Sequence, residues 1–120
     1  MLIFIYILHV CFLILHEIES GFEKEWEILK LPGKINGFIL FHIPIIFILF
    51  YGLYFMITIP EIKTIISIIA GIAGFIPLVV HKIIVNKKEN FNRILSNILI
   101  FGNVVSGIAL ILLGILEKMN

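Results

Sequence analysis

Residues 1–15 read MLIFIYILHVCFLIL, and residues 16–26, which follow directly, read HEIESGFEKEW. The first stretch is almost entirely hydrocarbon. With its continuation to residue 20, it is long enough to cross most of a bilayer core of about 30 Å as a helix rising about 1.5 Å per residue. The second stretch changes abruptly to histidine and glutamate. A chain that begins as a membrane helix therefore carries ionisable side chains where that helix ends.

The composition of the whole chain also indicates a membrane protein. Of 120 residues, 61% are hydrophobic and 14% are charged, whereas soluble domains carry about 25% charged residues. The net charge of +1 provides no basic field, so we expect no nucleic-acid partner. The single cysteine, Cys11, excludes an intramolecular disulfide. The length fits one domain over residues 1–120.

Four apolar runs predict four transmembrane helices, at about 2–20, 37–59, 62–85 and 94–116. Isoleucine-rich runs favour strands in water, but in a bilayer the backbone hydrogen bonds must close within the segment, which favours helices. The later connections are short, and short connections join antiparallel neighbours. The predicted fold is therefore all-α, a polytopic membrane protein with an up-down four-helix transmembrane bundle.

The distribution of basic residues predicts the orientation of this bundle. One end holds seven of the nine basic residues, and Lys63 and Lys118 lie at the other. The positive-inside rule places the richer end in the cytoplasm and both termini outside the cell membrane. The seven residues are Lys24, Lys30, Lys34, Lys82, Lys87, Lys88 and Arg93.

Histidines from three predicted helices fall near one membrane depth. His16 lies at the end of the first helix, His42 about 8 Å inside the start of the second, and His81 about 6 Å before the end of the third. Small residues, which let helices approach closely, indicate the inward faces. These stripes are Ser67, Ala70, Gly74 and Pro77 with His81 on the third helix, and Ser96, Asn103, Gly107 and Gly114 on the fourth.

Imidazole and carboxylate groups suit Zn²⁺, and also iron or manganese. A divalent metal, with Zn²⁺ preferred, is therefore the expected cofactor, although no HExxH motif is present. The alternative to a metal site is that the histidines are ordinary interfacial side chains and that the glutamates at 23–27 form a solvated face. The predicted metal ligands are His16, His42, His81 and Glu19.

A metal-bound water would give this site hydrolytic chemistry, because zinc lowers the pKa of its bound water to about 7. Glu17 and Glu19 are the predicted catalytic residues, as general base or as ligand. Asn97 and Asn103 are expected to orient an imidazole from a second layer around the metal. His9 lies about 10 Å deeper than His16, too far to share one metal.

The stretch His16-Glu17-Ile18-Glu19, followed by EWE at 25–27 and LPG at 31–33, resembles a group of small four-helix membrane proteins. This group is named for an N-terminal HXXEE motif. His16 and Glu19 match the first and fourth positions of the motif, and Ser20 departs from the fifth. The resemblance covers mainly residues 9–44, and it implies a polytopic membrane protein without a defined activity.

Three functions stay open at this stage. The first is a metal-dependent, lipid-active hydrolase with its site near the cytoplasmic face, for which membrane lipid is the expected partner. The second is a small proton-coupled transporter, because four short spans with a carboxylate in the first resemble small multidrug resistance exporters, in which Glu17 would alternate between proton and cation. The third is a structural or accessory subunit. A homodimer is compatible with each of them.

Overall fold

The computed structural model describes residues 1–84 and 93–119, and within them every regular element is a helix, which confirms the all-α prediction. Two further helical segments are a 3₁₀ turn at Pro60–Ile62 and a π-helical segment at Val79–Ile84. The helices are α1 (Leu2–Phe22), α2 (Glu25–Ile28), α3 (Lys34–Thr58), α4 (Lys63–Ala73), α5 (Ile76–Leu78) and α6 (Ile94–Met119).

Four segments are long and apolar enough to cross a membrane: α1, α3, Pro60–Ile83 (hereafter the third span) and α6. The protein is thus a multi-pass, four-helix membrane protein. The predicted spans differ from the observed ones by a few residues at their ends, as expected for boundaries read from hydropathy. The predicted connection at 86–93, with Lys87 and Lys88, lies almost wholly outside the described residues.

Side-chain contacts show that successive spans run in opposite directions. The Tyr6 hydroxyl donates a hydrogen bond to the Leu49 carbonyl oxygen (2.8 Å), whereas Glu17, further along α1, contacts His42, nearer the start of α3. The antiparallel order recurs between α1 and α6 in the pairs His9–Ser106 and Glu19–Ser96, and between the third span and α6 in the pair Thr64–Gly114. The bundle is therefore of the predicted up-down type.

Small residues bring α4 and α6 into backbone contact. A Cβ atom on Gly71 would lie 2.5 Å from the Gly107 carbonyl oxygen, and one on Gly74 would lie 2.5 Å from the His9 ring. Only glycine allows so close an approach. All members of the two predicted stripes are buried, so their inward orientation is confirmed.

The helix α3 is the peripheral member of the bundle. Only Phe38 and Met56 are buried along its 25 residues, and most of its apolar surface faces outward. The packed core lies instead between α1, the third span and α6, with Met56 reaching it from the end of α3. Its members are Leu2, Tyr6, Val10, Met56, Ala70 and Leu110.

The third span is interrupted just before the predicted site. Its α-helix ends at Ala73 and a turn at Gly74 and Phe75 follows, so the break begins three residues before Pro77. Proline has no N–H to donate, and the chain continues beyond α5 with the wider π-helical turns that often mark functional sites. His81 lies in this π-helical segment.

Candidate functional site

A cavity of about 280 Å³ lies at the end of the bundle where α1 ends and α3 begins. Its ionisable lining comes from α1, α2, α3 and the third span, and the remainder is apolar. We call it the His/Glu cavity. The structure brings His16, His42, His81 and Glu17 to this cavity, together with Glu25, which the sequence interpretation had not selected.

Two imidazoles face each other at the inner wall of the cavity. The Nε2 atoms of His16 and His81 are 3.1 Å apart, and a Glu25 carboxylate oxygen lies 3.5 Å from the His81 Nε2 atom. Both histidines are at most 4% exposed. Two neutral rings in this arrangement require one Nε2 to carry a proton and the other to accept it. In this arrangement the pair therefore shares one proton between the two rings.

Glu17 and His42 form the second polar contact of the cavity. The Glu17 Oε2 atom lies 2.6 Å from the His42 Nε2 atom, and the His42 Nδ1 atom lies 2.7 Å from the Phe38 carbonyl oxygen. A carbonyl oxygen can only accept, so Nδ1 carries a hydrogen. The short contact between the His42 Nε2 atom and the Glu17 carboxylate requires one proton shared between these two groups. This pair is consequently net neutral, either as imidazolium with carboxylate or as imidazole with carboxylic acid.

Glu25 enters the site because the chain folds back after α1. Lys24 has a positive φ of 53°, an uncommon conformation for a side-chain-bearing residue, and it places α2 across the end of the bundle. The Trp26 ring packs on Phe38 with centroids 5.6 Å apart, which fixes α2 against α3. The expectation of a solvated face at 23–27 is therefore wrong for Glu25, which is buried.

Burial is the main influence on the ionisation of Glu25. It raises the pKa of the Glu25 carboxyl, while the nearby Ser20 hydroxyl and the charge of His42 act in the opposite direction. A carboxyl group with a raised pKa next to an imidazole can exchange a proton with it at a higher pH than a solvent-exposed carboxyl group would. No periodic pattern in the sequence could have identified Glu25, because Glu25 lies beyond the end of α1 at Phe22.

Glu19 and the two asparagines lie apart from the cavity. Glu19 accepts a hydrogen bond from Ser96 of α6, and its other oxygen is 4.0 Å from the Nδ1 atom of His16. Asn97 is half-buried on α6, and Asn103 is fully buried at the depth of His9 and Gly74. Of the polar residues on α6, Ser96 is thus the one that reaches the neighbourhood of His16. The roles predicted for Glu19, Asn97 and Asn103 stay predictions.

A third buried histidine, His9, lies deeper in the bundle. The His9 Nε2 atom donates to the Ala70 carbonyl oxygen (2.9 Å), and its Nδ1 atom is 2.7 Å from the Ser106 hydroxyl oxygen. His9 is completely buried, so these bonds connect α1, the third span and α6 inside the membrane. Both ring nitrogens of His9 thus contact polar groups of the bundle, in agreement with its exclusion from the predicted metal site.

No group of three or more His, Cys, Asp and Glu side chains stands at metal-binding spacing in residues 1–84 and 93–119. The nearest approach to one is the facing pair of His16 and His81, with Glu25 beside His81. His42 is engaged by Glu17 instead. Metal binding by His16, His42, His81 and Glu19 stays a prediction.

Comparison with known proteins gives one match. No curated protein and no solved structure matches the chain. The match is to the sequence profile of a family of unknown function, DUF6713, and it extends over residues 2–117. This range includes every residue of the His/Glu cavity and all four spans except the last two residues of α6. It does not test the resemblance to the HXXEE group. The chain belongs to the family of unknown function DUF6713.

Proposed function

We propose that the protein is a membrane-embedded hydrolase that cleaves an acyl linkage of a membrane lipid. The observation that carries this proposal is the convergence of five ionisable side chains, from three membrane spans and α2, on one cavity. Ionisable groups are expensive within a membrane, and where they occur they usually serve a function. The cavity lies at one end of the spans, where the ester or amide linkages of lipids are within reach.

The Glu17–His42 pair supplies the acid–base chemistry in this proposal. The Glu17 carboxylate takes a proton from water, the resulting hydroxyl adds to the acyl carbon, and the His42 Nε2–H protonates the leaving oxygen as its bond to carbon breaks. The proton on Glu17 then passes to His42 across their 2.6 Å contact, which restores the starting state. The hydrogen bond from His42 to Phe38 holds the ring in the required orientation.

His16, His81 and Glu25 are proposed to hold a divalent cation, with Zn²⁺ preferred. Two nitrogens bound to one tetrahedral zinc at 2.0–2.1 Å are about 3.3 Å apart. The His16–His81 and His81–Glu25 separations of 3.1 Å and 3.5 Å are near this value, and the three side chains would have to move together to reach full metal-binding spacing. A cation at this position would polarise the acyl carbonyl group and ease deprotonation of water. Glu25 would complete the ligand set in place of the predicted Glu19 and His42.

Lipid turnover by the purified protein tests the proposal. The protein is reconstituted into phosphatidylcholine–phosphatidylglycerol vesicles, and released fatty acid and lysolipid are measured by mass spectrometry. Glu17→Gln should lower the rate at least about 100-fold, the lower range for loss of a general acid–base group. Glu27→Gln is the matched control, because Glu27 is exposed on α2. Absence of product from the unaltered protein, or equal rates for Glu17→Gln and the control, would exclude the hydrolase.

Metal analysis of the same preparations tests the cation separately. One zinc per chain is expected in the unaltered protein and in Glu27→Gln, and a loss is expected in His16→Ala and His81→Ala. Lipid turnover by protein that holds no metal would remove the cation from the proposal and leave the Glu17–His42 pair as its catalytic part.

A proton-coupled transporter is the second candidate, favoured by the single proton shared between Glu17 and His42. Binding of a lipophilic cation such as tetraphenylphosphonium should then release a proton in weak buffer, and Glu17→Gln should abolish the release. The hydrolase is preferred because the core around Tyr6, Met56 and Leu110 fills the bundle on the far side of the cavity. A protein with neither lipid turnover nor proton release would fit the structural or accessory subunit.

A further inference from the structure

We infer that a groove between α3 and the third span binds an acyl chain of a membrane phospholipid, with the polar end of that lipid at the His/Glu cavity. The inference depends on the proposed function in one respect only, namely that the acyl linkage of the bound lipid would be hydrolysed at the His/Glu cavity. It is carried by the shape, the lining and the position of the groove.

The groove has a volume of about 550 Å³ and an almost wholly apolar lining. This volume is within the range of about 300–1,000 Å³ that is usual for small-molecule sites. Two tyrosines line it, Tyr6 and Tyr51, and the Tyr6 hydroxyl already donates to the Leu49 carbonyl oxygen. The lining therefore offers mainly dispersion contacts, which suit a hydrocarbon chain better than a polar solute.

The groove exists because small residues meet where α3 leaves the bundle. Gly52 on α3 lies against the Tyr6 side chain, and Ala70 and Ala73 form the opposite wall on the third span. Larger residues at these positions would close the gap. An apolar gap loses dispersion energy unless hydrocarbon fills it, and in a bilayer the available hydrocarbon is the lipid chain.

The position of the groove connects it to the catalytic residues. Ile45 lines both the groove and the His/Glu cavity. From there the groove follows α3 to Phe55, about 15 Å along the helix axis, while His42 lies about 4.5 Å from Ile45 in the other direction. A chain lying in the groove thus ends at the cavity, and a molecule with an apolar tail and a polar linkage matches this order.

Photocrosslinking with a phosphatidylcholine that carries a diazirine on its acyl chain tests the inference. The full chain is placed in nanodiscs, irradiated and mapped by mass spectrometry. We expect adducts on peptides from 45–55 and 66–73 to exceed those on lipid-facing peptides of α6 several-fold. Ala73→Leu should reduce this enrichment several-fold, because the added side chain fills the groove.

Ala109→Leu is the matched control, since Ala109 lines a groove between α1 and α6 that shares no residue with the His/Glu cavity. A second variant guards against misfolding: Ile48 lines the groove and is 67% exposed, so Ile48→Trp covers the opening without crowding the core. Uniform labelling of all lipid-facing peptides, unchanged enrichment in both groove variants, or fewer adducts at this face than on α6, as expected if a second copy of the chain covers it, would overturn the inference.

The two proposals fail separately in this design. Glu17→Gln should retain the adducts, because it leaves the groove unchanged. Enriched adducts in a protein without lipid turnover would uphold the groove and remove the hydrolase. Lipid turnover by a protein that shows uniform adducts would uphold the hydrolase and remove the groove.

Discussion

The contact between Gly71 and Gly107 permits a quantitative prediction for Gly107→Ala. The new Cβ atom would lie 2.5 Å from the Gly71 carbonyl oxygen, about 0.9 Å closer than ordinary contact. Because that atom belongs to a helix backbone, α4 and α6 must separate, and gaps of 0.5–1 Å forfeit a quarter to a half of each contact energy. Overpacking costs about 1–3 kcal/mol, and the better helix propensity of alanine returns about 1 kcal/mol. We expect a net loss of up to about 2 kcal/mol in the free energy of unfolding.

Unfolding by sodium dodecyl sulfate in mild detergent, followed by circular dichroism, measures this loss. Gly71→Ala should cost a similar amount. The double variant should cost less than the sum, because one separation of the helices relieves both clashes. Gly21→Ala is the control, since its Cβ would lie 3.6 Å from the Phe38 ring, an ordinary contact. A Gly107→Ala protein as stable as Gly21→Ala, or strictly additive costs in the double variant, would refute the reasoning.

Three further predictions concern buried groups and orientation. In protein stripped of metal by a chelator, burial raises the pKa of Glu25 above its ordinary value of about 4.5, so the folded state binds its proton more tightly than the unfolded state. Stability should then fall as pH rises from 4.5 through the raised pKa, and Glu25→Gln should lack this part of the decline in detergent unfolding. Parallel pH profiles of the two metal-free proteins would contradict the prediction. Ser106→Ala removes the partner of the His9 Nδ1 atom and should cost about 1–3 kcal/mol by the same unfolding assay, whereas Ser106→Thr, which keeps the hydroxyl, should cost less. In a Cys11→Ser background, an impermeant maleimide added to intact cells should label Met119→Cys and not Lys34→Cys; the reverse pattern would invert the predicted orientation.

The spans and their inward faces could be predicted from the sequence because the bilayer limits the alternatives. Long apolar runs must become helices there, and stripes of small residues identify the faces that pack, as Ser67 and Gly74 illustrate. The depth of His16 and His81 followed from the rise per residue. Each of these inferences used only a local pattern and the fixed geometry of a helix.

The local pattern could not predict where the helices break. Glu25 reaches the site through a left-handed conformation at Lys24, which no propensity favours. The interruption of the third span begins at Gly74. The π-helical turns after Pro77 rotate His81 around the helix axis, away from the position it would have in a regular α-helix. Likewise, the bond between Glu19 and Ser96 depends on how α1 and α6 are aligned. These features come from tertiary contacts, which a single sequence does not display.

The loose attachment of α3 has an evolutionary consequence. A helix with two buried residues in 25 contributes little to folding through most of its positions, so selection for stability should leave its outward surface free to change among apolar residues. Across the family, α3 should therefore be the most divergent span, with invariant positions confined to those that touch α1, α2 or the cavity, such as Phe38, His42 and Gly52. An alignment of family members would reveal α3 as a variable helix with a few fixed positions, whereas α6 should be constrained along its whole buried stripe.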